Sequence, residues 1–184
     1  MCALIAKSSG NFTPAPEGLW PAVCVDVVDL GQVKQVWNGK EKSAHKCRIV
    51  WEISELMASG KPFIVSKRYT LSLHEKAQLH KDLKTWRGQA FTPEELEGFD
   101  IEKVLGKPCN LVIVHTEKDG MVYGNVQTVM RAKGVPLVSC GTYVRVKDRP
   151  PTDAAAPVGN PDYSDHEPFD DSAPPPIDDD DLPF

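Results

Sequence analysis

The distribution of charge and proline divides the chain near residue 150. Residues 151–184 hold ten of the 26 acidic residues, eight of the 16 prolines and no lysine or arginine. A segment of this composition buries too little apolar surface to offset the entropy lost on ordering. We therefore predict a folded domain over residues 1–149 and a disordered acidic tail over 150–184. The domain, with 21 basic and 16 acidic residues, is basic, which suits a polyanionic ligand.

Cysteine use and hydropathy indicate a cytoplasmic protein. The five cysteines include no C-x-x-C pair and are odd in number, which argues against a disulfide framework or a zinc ribbon. The first residues lack the basic and apolar regions of a signal peptide, and no window approaches 18 apolar residues. We expect no cofactor and no membrane association.

The domain is patterned mainly as strands. Residues 19–30 are rich in valine, and residues 44–54 alternate strictly. A turn at 59–62 leads to a third strand at 63–71, and residues 111–114 and 121–130 are two more; residues 142–146 leave a sixth strand open. In the alternating strand, one face carries Cys47, Ile49, Trp51 and Ile53, and the other carries Lys46, Arg48, Val50 and Glu52.

A change of period after residue 72 predicts a helix. Ser72-Leu73-His74-Glu75 matches a capping box, apolar residues follow at helical spacing as far as Trp86, and Gly88 ends the pattern. Thr92-Pro93 begins a second helical turn. The order of elements is typical of a mainly β fold, a five-stranded OB-fold Greek-key barrel with a helix between strands 3 and 4. A generic α+β sandwich fits the same order.

The end of the chain is its most specific motif. Four aspartates precede an apolar Leu-Pro-Phe ending, which resembles the acidic tip of bacterial and phage single-stranded DNA-binding proteins, with Leu where the bacterial form has Ile. A terminal Phe offers a ring and an α-carboxylate to an apolar pocket with a basic rim. The resemblance implies that this tip recruits partner proteins of replication or recombination. The partner-binding residues would be Asp178, Asp179, Asp180, Asp181, Leu182, Pro183 and Phe184.

The domain is also similar to phage-encoded single-stranded DNA-binding proteins with an OB-fold, over about residues 18–130. The resembling stretches are Trp51-Glu52-Ile53, Gly60-Lys61-Pro62-Phe63, Tyr69-Thr70-Leu71-Ser72-Leu73-His74-Glu75-Lys76-Ala77, Trp86-Arg87-Gly88 and Gly106-Lys107-Pro108-Cys109. The resemblance implies a phage-encoded protein that acts in the bacterial cell. It assigns no individual binding residue.

Binding a single strand without sequence preference needs cations for phosphates and aromatic faces for bases. The segment between the first two strands supplies both, with Lys34, Trp37, Lys40 and Lys42. Trp37 precedes Asn38-Gly39, a turn signal, so we expect it to stack on bases, whereas parity assigns Trp51 to the core. The remaining candidate contacts are Lys46, Arg48, Lys67, Arg68, Tyr69, Arg87, Tyr123 and Arg131, although the parity of Tyr69 also favours the core.

Catalytic signatures are lacking. The five histidines have no metal-ligand spacing, and there is no H-E-x-x-H motif, P-loop or nucleophile elbow. We therefore expect a protein that is not an enzyme and that binds single-stranded DNA during replication, recombination or repair. Two alternatives fit the sequence: a protein-interaction adaptor, and an accessory that anneals single strands. A homo-oligomer is left open.

Overall fold

The computed structural model describes residues 13–37, 40–118, 120–134 and 136–149, with backbone alone for 35–37 and 40–42. The predicted tail and its tip lie outside the described residues, as does the Asn38-Gly39 turn. None of the helices in the described ranges is long and apolar enough to cross a membrane.

The described chain is mainly β, as predicted, and its five strands form one antiparallel sheet in the order β3-β2-β1-β4-β5. Residues 142–146 do not form a sixth strand. The strands are β1 (Gly18–Trp37), β2 (Lys40–Leu56), β3 (Pro62–Thr70), β4 (Pro108–Lys118) and β5 (Met121–Arg131). The helices are α1 (Gln78–Arg87), α2 (Pro93–Glu97) and two 3₁₀ turns at Ile101–Val104 and Val146–Asp148.

One face of the sheet, here called the inner face, packs on the core. The predicted alternation along β2 is confirmed on this side, because Cys47, Ile49, Trp51 and Ile53 are all buried. Trp51 is fully buried and packs against Trp86 of α1, with 6.0 Å between the ring centroids. The opposite side of β1, β2 and β3 is called the outer face below.

Helix α1 begins later than the sequence indicated. Its N-cap is Ala77, and the preceding residues 72–77 are non-helical, with a turn at 75–76; the Ser72 hydroxyl accepts a hydrogen bond from His74 N–H at 3.3 Å. The predicted capping box is therefore wrong, because the Ser72 hydroxyl caps a local turn. The end of the helix is confirmed: Gly88 is left-handed, with φ of 70°, and its N–H bonds to the carbonyl of Lys84.

The second helix begins as the sequence predicted, at Thr92-Pro93. The Thr92 hydroxyl accepts from Glu95 N–H at 3.3 Å, and the Glu95 carboxylate accepts from Thr92 N–H at 3.0 Å. This reciprocal pair satisfies two backbone donors that a helix start otherwise leaves open.

A buried polar network centred on Asp82 joins α1 to the sheet. The Asp82 carboxylate accepts hydrogen bonds from Lys67 Nζ at 2.9 Å, Tyr69 Oη at 2.8 Å and Gln78 Nε2 at 2.7 Å. Lys67 Nζ also donates to the carbonyl of Gln127 at 3.0 Å. The network thus connects β3 to β5, the two strands at the ends of the sheet order.

Removal of the central acceptor should destabilise the domain strongly. Asp82→Ala leaves the hydroxyl of Tyr69 and the ammonium of Lys67 without their buried acceptor, which costs about 3–5 kcal/mol for a broken buried pair. Urea denaturation of the variant measures this loss. Lys84→Ala, on the exposed side of the same helix, is the matched control and should change the free energy of unfolding by about 0.5 kcal/mol or less. Equal unfolding free energies for the two variants would contradict this account of the network.

Candidate nucleic-acid interface

Three basic side chains lie together on the outer face. Arg48 of β2 is the direct cross-strand partner of Arg68 of β3, and Lys46 lies two residues before Arg48 on the same side. Directly opposed like charges repel each other in a sheet and attract an anion. We call Lys46, Arg48 and Arg68 the basic cluster. Its members were among the contacts predicted from the sequence.

The basic cluster leads into a long hairpin arm made by the end of β1 and the start of β2. Residues 34–37 and 40–42 are paired strand, with Trp37 opposite Lys40 and Gln35 opposite Lys42, where the sequence indicated a loop. Positions 40 and 42 have the parity of Lys46 and Arg48 along β2, so the register places them on the same face. The side chains of Trp37, Lys40 and Lys42 lie outside the description. Lys34 is exposed and is paired with Ser43, on the other face of the arm.

The base of the arm is set by a bulge in β1 at Asp29–Gly31. The Asp29 carboxylate accepts a hydrogen bond from Gly31 N–H at 2.8 Å and lies 2.6 Å from His45 Nε2. These two interactions, the Gly31 N–H first, hold the pKa of Asp29 below its usual value. Gly31 has φ of 66°, a conformation that glycine adopts without strain. The bulge therefore shifts the register of β1 just where the arm begins.

Three of the predicted contacts belong to the interior. Lys67 faces the inner side, where it pairs with Asp82, and Tyr69 is only 1% exposed with its hydroxyl on the same carboxylate. Tyr123 is 4% exposed, and its hydroxyl donates to Met121 Sδ at 3.2 Å. Rings buried to this extent present no face to a base. We therefore assign Tyr69 and Tyr123 to the core and Lys67 to the Asp82 network.

Arg87 and Arg131 lie away from the basic cluster. Arg87 donates to both carboxylate oxygens of Glu95, at 2.6 and 3.2 Å, and its guanidinium lies 4.8 Å from the Phe91 ring centroid and 5.2 Å from that of Phe99. These contacts engage Arg87 as a link between α1 and α2. Arg131 is exposed at the end of β5, where its side chain lies against Gly88.

Residues 139–149, here called the strap, cross the outer face beside the basic cluster. The Asp26 carboxylate of β1 accepts hydrogen bonds from Tyr143 Oη at 3.2 Å, Arg145 Nε at 3.0 Å and Val146 N–H at 2.8 Å. Asp26 is 1% exposed, so the strap supplies the donors that a buried carboxylate requires. No local sequence pattern indicated this contact, because its partners are about 120 residues apart.

A second carboxylate on the outer face anchors the start of the strap. Glu52 is 2% exposed, and it accepts hydrogen bonds from Ser139 Oγ at 3.0 Å and Cys140 N–H at 2.8 Å. The predicted polar side of β2 is thus partly buried, because both Val50 and Glu52 are buried. Toward the arm, Arg48 and Arg68 keep part of their surface exposed.

Tyr143 lies where the strap meets the basic cluster. Burial and the neighbouring Asp26 carboxylate raise the pKa of Tyr143 to about 12, whereas the positive charges of Arg149 and Arg48 act in the opposite direction. The phenol is therefore neutral at pH 7. Arg149 Cζ lies 5.4 Å from the ring centroid, and Tyr143 as a whole is half-buried. Tyr143 was not among the contacts predicted from the sequence.

The strap brings further cations to the outer face. Arg145 binds Asp26 and also donates from Nη2 to Glu102 at 3.2 Å, while Lys147 Nζ lies 3.8 Å from the same Glu102 carboxylate. With Arg149, the strap carries three cations against the single acid Asp148. It therefore offsets the negative charge of Asp26 and Glu52 on this side of the sheet.

The described residues contain no group of three or more His, Cys, Asp or Glu side chains placed to hold a metal ion. The outer face carries two partly exposed arginines, the more deeply buried Lys46 at 9% exposure, and one neighbouring aromatic ring, an arrangement suited to binding a polyanion. No protein-family model matches the chain, and comparison with curated proteins likewise finds no match.

Proposed function

We propose that this protein binds single-stranded DNA, without strong sequence preference, on the outer face of strands β1 to β3. The observation that carries the proposal is the basic cluster of Lys46, Arg48 and Arg68 on one face of two neighbouring strands. The register continues this face toward positions 42 and 40 of the arm. The result is a basic track rather than an isolated charge.

Cations of this kind contact phosphates, which are the same in every nucleotide. Phosphate contacts position a nucleic acid but carry no sequence information. Neutralising them releases counterions, and this gives affinity that depends strongly on salt. A basic track along a sheet face therefore favours binding of many sequences over recognition of one.

The preference for a single strand rests on aromatic rings near the track. Unpaired bases stack on exposed aromatic side chains, whereas the bases of a duplex are already stacked on one another. Trp37 is the partner of Lys40 in the arm, on the basic side of the register. We propose that it contributes such a stacking surface.

We also propose that the sheet is an OB-fold barrel. Its support is the strand order β3-β2-β1-β4-β5, the position of α1 between β3 and β4, and the bond from Lys67 Nζ to the Gln127 carbonyl between the two end strands. OB-folds bind oligonucleotides on the face that includes strands 2 and 3 and on the loop between strands 1 and 2. Under this proposal, the basic cluster and the arm are the parts of this chain that correspond to that face and that loop.

For the acidic segment 150–184 we propose two roles, and each belongs to different residues of the segment. Ten acidic residues compete with phosphate for the basic cluster, and the terminal Leu182-Pro183-Phe184 binds partner proteins of replication or recombination. The charge regulates DNA binding, and the terminal ring recruits partners.

Neutralising the basic cluster should weaken DNA binding specifically. Fluorescence anisotropy with labelled oligo-dT should give a lower affinity for Arg48→Gln/Arg68→Gln than for the wild type. The negative slope of log K against log salt should become shallower by about 0.7 for each phosphate that the variant no longer neutralises. The wild type should bind duplex of the same length more weakly than the single strand.

The matched control for this experiment removes one charge from another surface. Lys84 is exposed on α1, so Lys84→Gln should leave both the affinity and the salt slope close to wild type. Its counterpart is the single variant Arg68→Gln, which also removes one charge and should weaken binding to oligo-dT. Equal loss of affinity in Lys84→Gln and Arg68→Gln, or equal affinity of the wild type for duplex and single strand, would contradict the proposal.

Deletion of residues 151–184 should tighten binding to oligo-dT, most at low salt, where screening of the competing acids is weakest. Phe184→Ala keeps all ten acids, so its DNA affinity should match the wild type while binding to replication proteins is lost. Titrations at low and high salt, with pull-down of the host's replication proteins, measure both effects. If Phe184→Ala still pulls down the host's replication proteins as the wild type does, the proposed recruiting role of the tip is wrong.

A further inference from the structure

We propose that the strap is a permanent part of the DNA-binding face and that Tyr143 is a base-stacking residue within it. This inference rests on the proposed function and names a contact that the sequence did not indicate. Three observations carry it: the two carboxylates beneath the strap, the aromatic content of the outer face, and the bonds that hold Asp26.

The first observation is the charge that the strap covers. Asp26 of β1 is the cross-strand partner of Val50, which lies two residues after Arg48 on β2. Glu52 lies two residues after Val50 on the same strand. Without the strap, both carboxylates would face the solvent beside the basic cluster and would repel phosphate. With the strap docked, they accept hydrogen bonds from Arg145 and from polar groups of the strap. DNA binding and strap docking therefore favour each other.

The second observation is the aromatic content of this surface. Apart from Trp37 at the far end of the arm, the described outer positions of β1, β2 and β3 near the basic cluster carry small, aliphatic, hydroxyl and charged residues but no aromatic ring. The strap adds Tyr143, a half-buried residue with the Arg149 guanidinium 5.4 Å from its ring centroid. Arg149 lies against this ring, and the positive charge of Arg48 also acts on the phenol. An aromatic ring close to guanidinium groups suits a nucleotide, because the base can stack while its phosphate meets a cation.

The third observation is that the ring and the hydroxyl of Tyr143 can be tested separately. The Tyr143 hydroxyl is one of three donors to Asp26, and Arg145 Nε and Val146 N–H are the other two at shorter distances. Loss of the hydroxyl therefore leaves Asp26 with two donors and the strap in place. Loss of the ring removes the surface on which a base would stack.

The test compares Tyr143→Phe with Tyr143→Leu in the full chain, by anisotropy titration with oligo-dT. Tyr143→Phe keeps the ring and should bind within about two-fold of wild type. Tyr143→Leu should bind about ten-fold or more weakly, the effect of losing one base–aromatic stack, while its salt slope stays unchanged. Equal affinity of Tyr143→Leu and wild type overturns the stacking role, and an equal loss in both variants assigns Tyr143 to anchoring and overturns it as well.

Two measurements on the wild-type protein do not depend on the folding of a variant. Photo-crosslinking with an oligonucleotide that carries 5-iodouracil should attach to the peptide containing Tyr143; adducts that avoid this peptide contradict the proposal. Trypsin cleavage after Arg145 and Lys147 should slow when oligo-dT is bound, and faster cleavage would show that DNA displaces the strap. If wild type fails to bind oligo-dT, the proposed function itself is wrong and this inference falls with it.

Discussion

The outer face of this protein depends on how two buried carboxylates are satisfied. Asp26 and Glu52 lie on central strands, and five hydrogen bonds from residues 139–146 hold them. Buried charges of this kind are tolerated only with such partners. The strap is therefore fixed across one half of the face, and the other half carries Lys46, Arg48 and Arg68, of which the two arginines are partly exposed.

Sequence patterns predicted the parts of the fold that depend on neighbours along the chain. Alternation identified the buried side of β2 around Trp51, and Gly88 and Thr92 marked a helix end and a helix start. The Ser72 capping box failed because the same side-chain chemistry also stabilises a non-helical turn. Local signals of this type identify a capping group without fixing what it caps.

The candidate site was predictable only where strand parity decided it. Parity placed Lys46 and Arg48 together, and it puts Lys67 on the same inner side as Tyr69. Only the pairing of β2 with β3 brings Arg68 to Arg48, and only tertiary packing brings Asp82 to Lys67. The burial of Tyr123 depends on packing that its own strand does not encode. The docking of the strap was not predicted from the sequence, because Tyr143 and Asp26 are 117 residues apart and belong to no common motif.

The central claim, that a single strand lies along the outer face of β1 to β3, is tested most directly by mapping backbone amide chemical shifts during a titration with oligo-dT. We expect the largest changes in backbone amide chemical shift at Lys46, Arg48, Arg68 and Tyr143. The outer positions of β4 and β5, such as Val112 and Thr128, should change little. Largest changes at Val112 and Thr128, with the basic cluster unaffected, would contradict it.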